Sequence, residues 1–190
     1  MNTLYLFPTR EEAAELLTRR ADLKPQVGFV GVGMAEAGAN AAALIARHRP
    51  QRVVLCGIAG ACDRALIKVG DVVQVIRDKV AGLPEKYSLY YTSPNIEGVD
   101  HYVNSVTVSR TGEALQDEWV KDTLQLFVEQ MEGAAVAAVC RVMGVEEYYH
   151  LRAISNYGDD ARSAWRIKEA VEALGERIAE LNLYKIPKPT

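Results

Sequence analysis

The sequence predicts an α/β layered domain, and three observations carry that expectation. Short apolar runs rich in β-branched residues recur along the 190 residues, segments with apolar positions at helical spacing separate them, and glycines or prolines mark the junctions. Strands alternating with helices bury the apolar face of each helix against a sheet. With 49% of the residues hydrophobic, we expect residues 1–190 to form a single domain with a sizeable core.

Leu4 to Phe7 is the first apolar run, closed by Pro8 and Thr9, and REEAAELLTRR then repeats its apolar positions with helical period. Val27 to Val32 predicts a second strand, which enters GVGMAEAGANAAALIARH, an alanine-rich helix suited to close packing. Arg52 to Cys56 reads as a buried strand ending in a glycine-bearing turn, GIAGA, and Asp71 to Ile76 as the next strand. From Ala81 to Val103 the pattern weakens into turn formers and tyrosines, which predicts a long loop or covering segment. Val103 to Val108 and Leu126 to Val128 are strand candidates, GAAVAAVCRVMG is a helix beginning just after Glu132, and His150 to Ser155 is a late strand. Ser163 to Leu181 has helical periodicity and ends at Asn182, before the two prolines of KIPKPT.

Composition narrows the function classes. The formal net charge is only −3 with the two signs interspersed, so a nucleic-acid partner is not expected. The stretch MNTLYLFPTREE has neither the form of a signal peptide nor the length of a membrane span, so export and a membrane partner are not expected. Cys56, Cys62 and Cys140 lack CxxC pairing, which reads as three packed thiols in a reducing, cytoplasmic compartment. His48, His101 and His150 are far apart, so a metal site is not expected; no other cofactor is expected either.

Several segments offer chemistry. Gly31, Gly33 and Gly38 follow a strand and precede a helix, but the third glycine of a dinucleotide fingerprint is replaced by Glu36, whose charge would repel a pyrophosphate. A tight turn explains the same glycines. Gly57 and Gly60 would bring backbone N–H groups toward a polar ligand, or simply make a turn. Glu132 stands at the edge of an apolar helix, where a carboxylate either caps the helix N-terminus or accepts hydrogen bonds from adjacent hydroxyls of a sugar. Ser155 and Asn156 end a buried strand, where open α/β sheets place ligands, and an asparagine amide both donates and accepts. Thr9 and Glu12 have the spacing of a capping box, although a carboxylate there is also suited to orient or deprotonate a water.

Taken in order, VGMAEAGANAAALI, CGIAGACDRALIKVGDVV, EQMEGAAVAAVC and LRAISN resemble the motifs of the nucleoside phosphorylase superfamily, especially its nucleosidase branch. The resemblance runs from the N-terminus to about Trp165. It implies a three-layer α/β/α sandwich with a central mixed β-sheet, a small-molecule purine nucleoside as partner, and a homo-oligomer, often a dimer. By position it makes Glu12 the residue that positions a nucleophilic water, with Glu11 as the register-shifted alternative. Met131 and Glu132 become the ribose contacts, Asn156 with Ser155 beside it faces the purine, and Ile58, Ala59 and Gly60 line the floor. Phosphorylases of the superfamily commonly carry an arginine before the central glycine segment and a hydroxyl within it; here Leu55, Cys56, Ile58 and Ala59 stand there instead, so hydrolysis is expected over phosphorolysis. Arg52 and Arg110 are the arginines that phosphorolysis would call on. Asparagine in place of the usual aspartate implies a 6-oxopurine, and ISN, Gly158 and Trp165 resemble the futalosine hydrolases, which release hypoxanthine in menaquinone biosynthesis. Two departures stand beside that narrower likeness: Asp160 and Ala161 replace an expected arginine and aspartate, and the chain is shorter than usual around residues 81 to 125. Trp165 by itself is equally a helix-packing residue. A purine nucleoside phosphorylase, another nucleosidase and a non-catalytic nucleoside-binding relative remain the alternatives.

Overall fold

The computed structural model describes residues 2–121 and 125–181. Eight strands, β1 (Thr3–Phe7), β2 (Val27–Phe29), β3 (Arg52–Ala61), β4 (Val72–Val80), β5 (Tyr91–Thr92), β6 (His101–Thr107), β7 (Phe127–Gln130) and β8 (Glu147–Tyr157), form one mixed sheet. The helices are α1 (Arg10–Arg19), α2 (Met34–His48), α3 (Glu118–Lys121), α4 (Gly133–Val142) and α5 (Ile167–Glu180).

Period-two patterning sorts the helices onto two faces. Tyr5, Phe7, Val54 and Cys56 point into one core with Ala13 and Leu16 of α1 and Ala170, Leu174 and Ile178 of α5. Their strand neighbours Leu4, Leu6, Val53 and Leu55 point the other way, against Ala37, Ala41 and Ile45 of α2 and Val136 and Cys140 of α4. Small residues set the spacing: a Cβ on Gly175 would lie 2.6 Å from the Leu16 backbone nitrogen, so glycine there lets α5 lie directly on α1. The result is the expected three-layer α/β/α arrangement.

The sheet also curls. β8 pairs in parallel with β3 along its whole length and antiparallel with β4, β4 pairs with β6, β6 with β7, and β7 returns to β3 at Gly60 and Ala61. Five strands therefore close a ring, with β1 and β2 extending it beyond β3 and β5 beyond β4.

The structure corrects one boundary in particular. GIAGA is not a turn: β3 continues through it to Ala61, with a register shift against β8 between Ala59 and Gly60. Glycines mimic a turn signal, but here they accommodate side chains that cross the strand, as described below. β4 and β8 likewise run longer than expected because their polar residues are buried. α5 starts four residues after Ser163, and the sequence from Asn182 onward, including KIPKPT, lies outside the described residues. Within the expected loop of residues 81–103, the short strand β5 and the start of β6 are ordered pairs of the sheet.

Candidate active site

One cleft of about 420 Å³ opens where the carboxyl ends of β1, β3 and β8 meet the β7–α4 junction. Glu12, Ile58, Ala59, Gly60, Met131, Glu132, Ser155 and Asn156, the eight site candidates, all line it, together with Glu11 and Trp165. Strand ends of an α/β sheet gather ligand contacts in this way because the turns and helix starts that follow leave room for a crevice.

Glu12 combines both of its sequence readings. The capping box is present: the Glu12 N–H donates to Thr9 Oγ1, and Oε2 accepts from the Thr9 N–H at 3.0 Å and its hydroxyl at 2.7 Å. Oε1 accepts from the Ile58 N–H at 3.0 Å, which fixes the carboxylate at the β3 edge of the cleft. Burial raises its pKa above the ordinary glutamate value, with the hydrogen bonds from Thr9 and Ile58 opposing that shift. Glu11, in contrast, is exposed at the rim.

Glu132 is the N-cap residue of α4, yet its side chain makes no capping bond. Gln130 caps the helix instead, its Oε1 accepting from the Glu132 and Gly133 N–H groups at 2.8 and 2.6 Å. The Glu132 carboxylate is thereby free to turn elsewhere: Oε1 accepts from the Gly33 N–H at 3.1 Å and Oε2 from Arg152 Nη2 at 3.1 Å. Gly33 holds φ at +89°, and Gly31 at +83°, so the glycines make the tight turn that aims this N–H at Glu132.

Arg152, which sequence reasoning passed over, joins these groups. It is 1% exposed and donates from Nε to His150 Nε2 at 2.8 Å, from Nη1 to the Ile58 carbonyl at 3.1 Å, and from Nη2 to Gln130 Oε1 and Glu132 Oε2. It lies inside LRAISN, but nothing in the spacing distinguishes an inward arginine from a surface one. Gly57 makes the arrangement possible, since a Cβ there would lie 2.5 Å from Arg152 Nη1 and 3.1 Å from Glu12 Oε1.

At the far end of the cleft, Asn156 is buried with its amide orientation set by neighbours. Nδ2 donates to the Tyr157 carbonyl at 2.9 Å, and Oδ1 accepts from the Ser155 hydroxyl at 2.8 Å. A carbonyl only accepts, so the NH2 group lies on the Tyr157 side with one hydrogen left for a ligand. Gly60 leaves room for that amide: a Cβ there would lie 2.9 Å from Asn156 Nδ2. Glu129, also missed in the sequence, borders this end and accepts from the Gly112 and Ala114 N–H groups at 2.7 and 3.2 Å, which pins the loop after β6 over the cleft. Trp165 stands at the mouth, with the Arg162 guanidinium 4.1 Å from its ring centroid. It is therefore a cleft residue preceding α5, not a packing residue within the helix.

The two arginines that phosphorolysis would call on are elsewhere. Arg52 is buried at the opposite end of β3, paired with Glu147 at 2.6 Å, and eight residues of strand put it roughly 25 Å from Gly60. Arg110 lines a separate groove with Arg77, Tyr90 and Trp119. The three cysteines are free; burial pushes the thiols of Cys62 and Cys140 up to about 12 and that of Cys56 higher still. No described helix is long and apolar enough to cross a membrane.

No family model matches the chain, and no curated protein sequence does. Its backbone does match solved structures: a futalosine hydrolase mutant of Helicobacter pylori superposes with a TM-score of 0.78 at 16% identity over 95% of this chain and 98% of the other. The chain has the nucleosidase fold. A 5'-methylthioadenosine/S-adenosylhomocysteine nucleosidase of S. pneumoniae, solved with a transition-state inhibitor, gives a TM-score of 0.79 at 16% identity, again over 95% and 98% of the two chains. A putative nucleosidase of that type from Francisella philomiragia gives 0.77 at 16% identity over 98% and 100%. The match takes in the mixed sheet and the helices on both of its faces.

Proposed function

We propose that this protein hydrolyses the N-glycosidic bond of a purine nucleoside. The observation that carries the reading is the convergence of Glu12, Glu132 and Asn156 on one cleft, each held by hydrogen bonds that leave it a further valence for a ligand. Bond cleavage in a nucleoside develops positive charge on the ribose and negative charge on the base, so a site needs carboxylates at one end and a hydrogen-bond donor at the other. Glu132 accepts the 2' and 3' hydroxyls, with Met131 packing on the sugar. Glu12 orients the attacking water and takes its proton. Asn156 faces N7 and the 6-oxo group of the leaving base and donates its remaining N–H to the 6-oxo oxygen, with Ser155 holding the amide, while Ile58, Ala59 and Gly60 form the floor.

Water is favoured over phosphate as nucleophile. A buried phosphate dianion needs cations directed at it. Arg152 already serves Glu132, Gln130, His150 and the Ile58 carbonyl, and Arg52 and Arg110 face other parts of the molecule. A 6-oxopurine fits an amide donor better than a 6-aminopurine does, and the likeness to the Helicobacter pylori futalosine hydrolase supports futalosine, cleaved to hypoxanthine and dehypoxanthine futalosine, as the substrate. We place the enzyme in the cytoplasm and acting without cofactor, as a homo-oligomer. Incubation with futalosine, inosine and methylthioadenosine, with and without phosphate, tests the proposal: free base appearing from the 6-oxopurine nucleosides regardless of phosphate supports it, and release only with phosphate assigns a phosphorylase instead.

A further inference from the structure

Behind the cleft lies a set of buried polar side chains that the proposed hydrolysis does not use. Asp78 is on β4, Ser105 and Thr107 are on β6, Gln130 is on β7 and His150 is on β8. Asp78 is 2% exposed, and its Oδ2 accepts from Thr107 Oγ1 at 2.9 Å and from Gln130 Nε2 at 3.1 Å. Oδ2 accepts whether the carboxyl is ionised or carries its proton on Oδ1, and the bonds of Thr107 and Gln130 take their direction from it. Thr107 has one hydroxyl hydrogen, which goes to Asp78, so its lone pairs take the Ala134 N–H at 2.9 Å and Gln130 Nε2 at 2.8 Å. Ser105 Oγ lies 2.9 Å from the same amide nitrogen.

With its NH2 group held on this side, Gln130 presents Oε1 to the other, where three donors meet it: the Glu132 N–H, the Gly133 N–H and Arg152 Nη2 at 3.1 Å. That same Arg152 nitrogen donates to Glu132 Oε2. A reversed amide would set an NH2 group against three N–H donors, leaving the start of α4 uncapped and Arg152 Nη2 with Glu132 as its one remaining acceptor. His150 cannot substitute for Asp78, because its Nε2 accepts from Arg152 Nε, and burial together with that guanidinium keeps the ring neutral. Gly133 leaves room for the cluster: a Cβ there would collide with Asp78 Oδ2 and come within 2.5 Å of the His150 ring.

We propose that Asp78 is a positioning residue for sugar recognition, the terminal acceptor that fixes the amide of Gln130 and, through Gln130 and Arg152, the carboxylate of Glu132. The inference rests on the reading of Glu132 as the acceptor of both ribose hydroxyls. It extends the functional unit to β4, a strand that does not line the cleft, and to a residue that touches no substrate.

The test compares kcat/KM for inosine and 2'-deoxyinosine in the wild type, Asp78→Asn, Asp78→Leu and Thr107→Val. A misdirected Glu132 loses its hold on two hydroxyls more than on one, so Asp78→Leu and Thr107→Val are expected to lose about tenfold to a hundredfold on inosine, and far less on 2'-deoxyinosine. Asp78→Asn keeps an acceptor in the same place and is expected to preserve the preference. Equal losses on both substrates, or an unchanged preference in Thr107→Val, would overturn the inference, as would collapse of the preference in Asp78→Asn. Should Asp78→Leu fail to fold, Thr107→Val decides alone. A wild type that cleaves both nucleosides equally well would remove the ribose role of Glu132 and the inference with it, whereas a wild type that discriminates while Thr107→Val does so equally removes the inference only.

Discussion

The Glu12 carboxylate and the Ile58 backbone N–H are joined by a 3.0 Å hydrogen bond, which ties the capping box of α1 to the strand that forms the cleft floor. One side chain thus ends a loop, starts a helix and faces the cleft. In the proposed mechanism Glu12 acts in its ionised form. Glu12→Gln keeps an oxygen for Ile58 or Thr9 but cannot accept a proton, and we expect kcat to fall by about 10²- to 10⁴-fold with the fold retained. Loss of less than tenfold would assign Glu12 to capping alone.

The pH dependence follows from the same residue. Because burial raises its pKa, the acid limb of the kcat/KM profile should lie at higher pH than that of a solvent-exposed glutamate. Activity should rise with pH through that limb and plateau above it. The limb should disappear from the residual activity of Glu12→Gln; an identical acid limb in the variant would point to another group.

Arg152 carries the paired charge for Glu132. Arg152→Met leaves a carboxylate with 4% side-chain exposure facing Gly33 alone, and we expect a stability loss of about 3–5 kcal/mol in urea melts. Replacing both residues, Arg152→Met with Glu132→Gln, should recover part of that loss, since the unpaired charge is gone. Additive losses would show that the pair is energetically independent.

Gly57→Ala tests the close approach of Arg152 and Glu12 across β3. The new methyl group meets the Arg152 guanidinium at 2.5 Å and must displace it, so activity and stability should both fall. A variant with wild-type kcat/KM would mean that the guanidinium has a second equally good position.

Asp78 predicts a pH effect on folding. Burial raises its folded pKa to about 7, above the ordinary aspartate value. The folded state therefore favours the protonated carboxyl, a contribution that is fully present below the unfolded pKa and is lost as pH rises through about 7. Urea melts between pH 4 and 8 should show the wild type losing stability relative to Asp78→Asn as pH rises. Parallel curves would mean that Asp78 does not set the pH dependence.

Much of this molecule was legible in the sequence because its elements carry their own periodicity. Leu4 to Phe7 alternates between two buried cores, and GAAVAAVC has the small residues that close packing needs, so strand and helix could be told apart locally. The site candidates came from the order of motifs that the resemblance supplied, and the fold gathers them in one cleft. GIAGA misled because a glycine that makes room for Arg152 or Asn156 is indistinguishable in sequence from one that makes a turn. Arg152, Glu129 and Asp78 were missed for a related reason: their roles depend on register between β3, β4, β7 and β8, and nothing in a single strand reports its partner.

Base release from inosine and futalosine in phosphate-free buffer, by wild type and by Glu12→Gln side by side, separates Glu12-dependent hydrolysis from phosphorolysis. Hydrolysis predicts hypoxanthine and free sugar product from the wild type, unaffected by added phosphate, and almost none from the variant. Hypoxanthine formed only when phosphate is supplied, or formed equally by both proteins, would contradict it.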